Sequence, residues 1–221
     1  MRAYRILFFV VALCGMPMAN AATKILVLGD SLSAAYNIPL ERGWVVLLQQ
    51  RLSRTYPGTE VINASISGET AANAVRRLPA LLVRHTPDVL VIELGGNDGL
   101  RGFKLAQIRQ SLQSLIDMGK GAGTEIVLAG MQLHPNYGPK FNQQFRELYR
   151  QLAVLNKIHL VPLMLQNIGD SLQKMQADAT HPTAEAQPEV LENMWPAIEQ
   201  AIKSVKKEHP AEAQGMQRKK E

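Results

Sequence analysis

The stretch KILVLGDSLSAAY, Lys24 to Tyr36, sets a short apolar run against Gly29-Asp30-Ser31 and then returns to helix-compatible residues. A run of this length that ends in a turn suits a strand buried on both faces, as in a parallel sheet covered by helices. Glycine suits the turn, and the serine is left at the point where the strand ends. The rest of the chain repeats the pattern. Strands are expected at Lys24–Leu28, Glu60–Asn63, Val89–Leu94 and Glu125–Ala129, with a weaker one at Ile158–Pro162. Helical stretches fall at Gly43–Thr55, Thr70–His85, Leu105–Gly119, Phe141–Asn156 and Ala184–Val205. This alternation predicts an α/β fold of three layers, α/β/α, around a central parallel sheet of about five strands.

At 221 residues, 46% of them apolar and 19% charged, the chain is sized for one domain and has too much apolar surface to stay disordered. Its first residues are set apart from that domain. Arg2 and Arg5 precede an apolar run from Ile6 to Leu13, and Ala19-Asn20-Ala21 gives a small-x-small cleavage pattern. Residues 1–21 therefore read as a secretory signal peptide, since the apolar run is short of the roughly 20 residues that span a bilayer. The mature protein is expected in the periplasm or outside the cell, with no stable membrane anchor. Cys14, the single cysteine, falls in this segment, and Leu13 before it does not fit a lipid attachment site. The mature chain then has no thiol nucleophile, thiolate metal site or disulfide.

The net charge of +5 lies at the ends of the chain: Arg2 and Arg5 at one, and six basic against three acidic residues in Lys203–Glu221 at the other. Residues 22–202, the expected domain, balance to zero. That excludes the electrostatic footprint of a nucleic-acid binder and leaves residues 203–221 as a charged, solvated tail.

Open α/β sheets bind ligands beyond the carboxyl ends of their strands. The exits here read GDS, ASISGET, GGNDG and GMQLHPNYG after the first four strands. A serine hydroxyl at such an exit becomes a nucleophile only when a base takes its proton and a carboxylate orients the base. Asp30 is adjacent to Ser31 and points elsewhere, so the carboxylate must come from another segment. QADATHPTAEAQPEV supplies Asp178 and His181, spaced so that the carboxylate can reach one imidazole nitrogen while the other faces Ser31. Each alone would pass as ordinary loop polarity. For the oxyanion formed by attack on a carbonyl, the Gly68 N–H, the Asn97 side-chain amide and the Ser31 N–H are candidate donors, the last bringing the dipole of a helix expected to start there. Asp30, Leu32 and His134 lie on the same rim and are candidate substrate contacts. His85, His159 and His209 have bland settings.

Together these blocks resemble the GDSL, or SGNH, hydrolases: Gly29-Asp30-Ser31-Leu32, Gly68, Gly95-Gly96-Asn97-Asp98 and Asp178-x-x-His181, in that order. GDSLSAAY, LGGNDGLRGF and HPTAEAQP are similar, more narrowly, to a periplasmic branch of multifunctional acyl-CoA thioesterases, lysophospholipases and arylesterases. The likeness runs from the signal peptide to the tail. It implies a flavodoxin-like SGNH hydrolase fold with no cofactor, Ser31 as nucleophile, His181 as base, Asp178 as its orienter, and Ser31, Gly68 and Asn97 as oxyanion donors. It also implies a loop around Arg77-Leu78-Pro79 that closes over acyl chains, which makes Leu78 and Pro79 candidate substrate contacts. Ala35 departs from the glycine of GDSLSAGY, and no Gly-x-Ser-x-Gly elbow is present.

The expected activity is hydrolysis of small-molecule acyl esters, thioesters and lysophospholipids by a monomer. Aryl esters and carbohydrate acetyl esters are alternatives within the same fold. A flavodoxin-like cofactor carrier would explain Ser31 and Ser33 but gives Asn97, Asp178 and His181 no role. A non-enzymatic binding protein is a third reading. No P-loop sequence is present, and the histidines lack zinc-ligand spacing.

Overall fold

The computed structural model describes residues 22–208. Strand β1 (Lys24–Gly29) is buried from Ile25 onward, and its side chains alternate between two cores. Ile25 and Val27 join one core, Leu26 and Leu28 the other, as the two-residue period of a strand requires. Strands β2 (Glu60–Asn63), β3 (Val89–Glu93), β4 (Glu125–Ala129) and β5 (His159–Val161) complete a parallel sheet in the order β2-β1-β3-β4-β5.

Helices α1 (Trp44–Thr55) and α6 (Gln187–Glu208) cover the face that carries Ile25, Val27, Val89 and Val91, while α2 (Ala71–His85), α4 (Leu105–Gly121) and α5 (Pro139–Asn156) cover Leu26, Leu28, Leu90 and Ile92. Each fully buried aliphatic side chain contributes roughly 1.5–3 kcal/mol relative to exposure, so the central strands fix the three-layer arrangement that their sequences imply. The strand order reverses between β1 and β3, one followed by β2 and the other by β4. The crevice at this reversal is bounded by the turn after β1 and by α3 (Gly96–Leu100), a short glycine-rich helix that propensity does not predict.

Three expectations need correction. Arg77-Leu78-Pro79 forms no loop: it lies inside α2, where Ala71, Ala74 and Leu78 make a buried stripe at helical spacing and Pro79 faces solvent. That stripe, with the Thr70 side chain capping Asn73 N–H, outweighs the local cost of the proline. No helix begins at Ser31 either. Residues 31–37 run as turns, because Ala35 and Asn37 adopt left-handed backbone at φ 56°. Third, residues 203–208 are not tail but the last turns of α6, with Val205 buried. The proposed signal peptide and the chain beyond Glu208 lie outside the described residues. Among the described residues no helix is long and apolar enough to cross a membrane.

Candidate active site

Ser31 is the second residue after β1, and His181 reaches it from a loop that precedes α6. The His181 Nε2 lies 2.8 Å from Ser31 Oγ, and its Nδ1 lies 2.7 Å from Asp178 Oδ2. The spacing of Asp178 and His181 works because Ala179 takes φ 52° and folds the segment into a tight turn. In this turn Asp178 Oδ1 accepts from the N–H groups of Thr180 at 2.9 Å and His181 at 3.0 Å. Partial burial works to raise the Asp178 pKa, but the Thr180 N–H and the His181 ring and N–H outweigh it and hold the carboxyl below its ordinary value. An ionised Asp178 fixes the tautomer in which Nδ1–H donates to it and Nε2 accepts the serine proton.

Tyr36 packs against the imidazole with ring centroids 4.5 Å apart. Gln176 ties the two segments together. Its Nε2 donates to the carbonyls of Tyr36 at 3.1 Å and Pro182 at 3.0 Å, and its own N–H donates to the His181 carbonyl at 2.7 Å.

Asn97 comes from α3, which begins after Gly95 at φ 107°. A Cβ at Gly95 would lie 2.3 Å from the Tyr149 hydroxyl, so only glycine lets the chain pass there. Asn97 Nδ2 donates to Asp30 Oδ2 at 2.9 Å, and Asp30 Oδ1 accepts from Leu32 N–H at 3.0 Å. Gly68 turns at φ 77° after β2, with its carbonyl held by Arg101 Nη2 at 2.8 Å. Among the described residues no acceptor takes up the N–H of Ser31 or Gly68.

A cleft of about 180 Å³ opens beside Ser31, Asn97 and His181. Leu100, Met131, Leu133, Leu163 and Met164 give it an apolar wall. Leu32 and His134 line it as expected, and His134 also caps a single 3₁₀ turn by accepting from Asn136 N–H at 3.3 Å. Gly68 does not line the cleft, nor do Leu78 and Pro79, which the helix carries elsewhere. Asp30 lines it too but is only 3% exposed, and its carboxylate accepts from Asn97 and Leu32. His159 pairs with Glu125 at 3.0 Å, away from the site. Sequence reasoning missed Tyr36, the wall after β5, and Glu93, whose one signal was a carboxylate in a wholly buried strand.

The match to the GDSL-like lipase/acylhydrolase family covers residues 27–187. The chain belongs to that family. Among its members, Esterase TesA of Pseudomonas aeruginosa is 46% identical over 187 residues, 85% of this chain and 93% of that protein. The thioesterase 1/protease 1/lysophospholipase L1 of Escherichia coli K12 is 41% identical over 170 residues, 77% of this chain and 80% of that one. The crystal structure of TesA superimposes with a TM-score of 0.78, covering 80% of this chain and 98% of that one at 46% identity. The esterase EstA from Pseudoalteromonas, inhibited by monoethylphosphonate, gives a TM-score of 0.77 at 38% identity, covering 82% of this chain and 99% of that one. The family's fold is the three-layer fold described above, and the chain is a hydrolase of ester bonds. Family membership sets aside the flavodoxin-like carrier and the binding protein.

Proposed function

We propose that the protein is an exported serine hydrolase that cleaves acyl esters, acyl thioesters and lysophospholipids through an acyl-enzyme on Ser31. The observation that carries this reading is the unbroken hydrogen-bonded series Asp178–His181–Ser31 beside an apolar cleft. His181 takes the serine proton as Oγ attacks the carbonyl carbon. The Ser31 and Gly68 N–H groups and the Asn97 amide receive the developing oxygen charge. The imidazolium returns its proton to the leaving alcohol or thiol, and water activated by the same histidine then releases the acid and restores Ser31. Relatives named as esterase, arylesterase and thioesterase/lysophospholipase support this range of leaving groups. The apolar wall favours an acyl chain over the polar ring of an acetylated sugar. The complete donor set lies within one chain, which supports a monomer, and the sequence before residue 22 supports export.

The test is kcat/KM across p-nitrophenyl esters of increasing chain length, acyl-CoAs, lysophospholipids and an acetylated sugar. Medium and long acyl substrates should lead, and Ser31→Ala or His181→Ala should lower kcat by roughly 10³- to 10⁶-fold in a folded protein. A Ser31→Ala enzyme that turns over at the wild-type rate would exclude the acyl-enzyme.

A further inference from the structure

Behind Asn97 lies a pair of buried acids outside the Asp178–His181–Ser31 series. Glu93 ends β3, fully buried in an otherwise apolar strand. Its Oε2 accepts from Ser33 Oγ at 2.6 Å and from Asp30 N–H at 3.2 Å, while Oε1 has no hydrogen-bond partner among the described residues. A Cβ at Gly29 would lie 2.7 Å from Oε2, so the glycine of GDS makes room for this carboxyl. Asp30 is almost as buried, and the two side chains interact directly.

The groups facing the pair are Ser33 from the turn after β1, Asn97 from α3, the Tyr149 hydroxyl from α5, and His181 from the loop before α6. No lysine or arginine among the described residues donates to either acid. Two carboxyl groups in contact, out of water and without a cationic hydrogen-bond donor, do not both ionise.

We infer that Asp30 and Glu93 hold one proton between them, carried on Glu93, and that the remaining Asp30 carboxylate is the positioning group that aims the Asn97 amide at the oxyanion. The inference rests on the Ser31-centred reading above. An amide nitrogen carries two hydrogens. One is committed to Asp30 Oδ2, which fixes the plane of the amide and leaves the other for the cleft. A carboxylate so close to a developing negative charge opposes that charge, and a second would double the opposition. The proton on Glu93 prevents this. Burial is the main force that raises both acids, bringing Asp30 to about 6 and Glu93 well above its ordinary value, the latter with help from the Asp30 charge.

Three variants and one spectrum test the assignment. Asp30→Asn offers one acceptor oxygen where the carboxylate offers two, so Leu32 N–H and Asn97 Nδ2 are no longer both satisfied. Its kcat should fall roughly 10- to 100-fold with KM within about threefold. Glu93→Leu removes the hydrogen that Glu93 gives to Asp30 and the acceptor of Ser33 Oγ and Asp30 N–H, so the Asp30 carboxylate loses its fixed orientation and kcat should fall in the same way. Glu93→Gln restores a neutral group of the same shape that can donate to Asp30, and should recover most of the wild-type kcat. Infrared difference spectra of the folded wild type against Glu93→Gln near neutral pH should contain a protonated-carboxyl band. An Asp30→Asn or Glu93→Leu enzyme with wild-type kcat overturns the inference, as does a folded Glu93→Gln enzyme as impaired as Asp30→Asn. An ionised Glu93 in the wild-type spectrum overturns it whatever the variants do. Failure of the wider reading would be seen separately, as activity that survives Ser31→Ala.

Discussion

At the scale of single residues, the His181 ring is held by three contacts of different kinds: a charge-assisted bond to Asp178, the serine hydroxyl, and the face of Tyr36. The first sets the tautomer. Asp178→Asn lets the ring turn to the wrong tautomer, so kcat should fall roughly 10²- to 10⁴-fold, measured on a p-nitrophenyl ester with folding checked by circular dichroism. Because the Asp178 carboxyl is held below its ordinary value, it stays ionised until the solution is strongly acidic. The acid limb of wild-type activity should therefore lie above the Asp178 range. Tyr36 offers an aromatic face to an imidazole that, in the proposed mechanism, becomes cationic during the reaction, a contact of about 0.5–1.5 kcal/mol. Tyr36→Ala should lower kcat by roughly 3- to 10-fold, and Tyr36→Phe should retain it, since no hydrogen bond to the hydroxyl is involved in the contact. Equal losses in the two variants would show that the hydroxyl, not the ring face, matters.

At the scale of elements, the contrast between β3 and α2 shows what sequence makes legible. Buried strands are short apolar runs, so the five strands could be placed to within about a residue at most ends, and the serine, histidine and aspartate stood out because their chemistry demands one another. The contact of Glu93 with Ser33 joins residues 60 apart in sequence and depends on the register of β1 against β3, which no local pattern encodes. GGNDG is too rich in glycine to announce a helix, and Leu78-Pro79 read locally is an interruption of one. In α2 the buried stripe prevails over the proline, which is exposed on the outer side. Pro79→Ala should accordingly raise stability by about 1–2 kcal/mol in urea titrations, below the full helix penalty of proline because the unfolded chain gains freedom too. Acyl-chain preference should stay unchanged. A shift in chain-length preference without a gain in stability would return this segment to the substrate.

At the scale of the whole molecule, the buried acids set the pH dependence of stability against that of activity. Asp30 has an ordinary value of 3.8 in the unfolded chain and about 6 in the fold, raised chiefly by burial. The folded protein therefore holds this proton more tightly than the unfolded one. The stability so gained is complete below the unfolded value and is lost as pH rises through about 6. For a group this buried the loss is on the order of 3 kcal/mol. Asp178 acts in the opposite sense: its lowered value gives stability that is present above its ordinary range and disappears as pH falls through the folded value. The two slopes meet near the ordinary aspartate value, so the free energy of unfolding should peak at roughly pH 4 and decline toward neutrality. Activity should move the other way across the same interval, because the proposed positioning role needs an ionised Asp30 that accepts both hydrogen bonds. Urea denaturation of Ser31→Ala, which keeps the acids, should reproduce the decline, and Asp30→Asn, which cannot titrate, should make it shallower while leaving the part that the raised Glu93 carboxyl contributes. A wild-type stability that climbs steadily from acid to neutral pH would mean that Asp30 is ionised throughout, and with it the separation of the two optima would disappear.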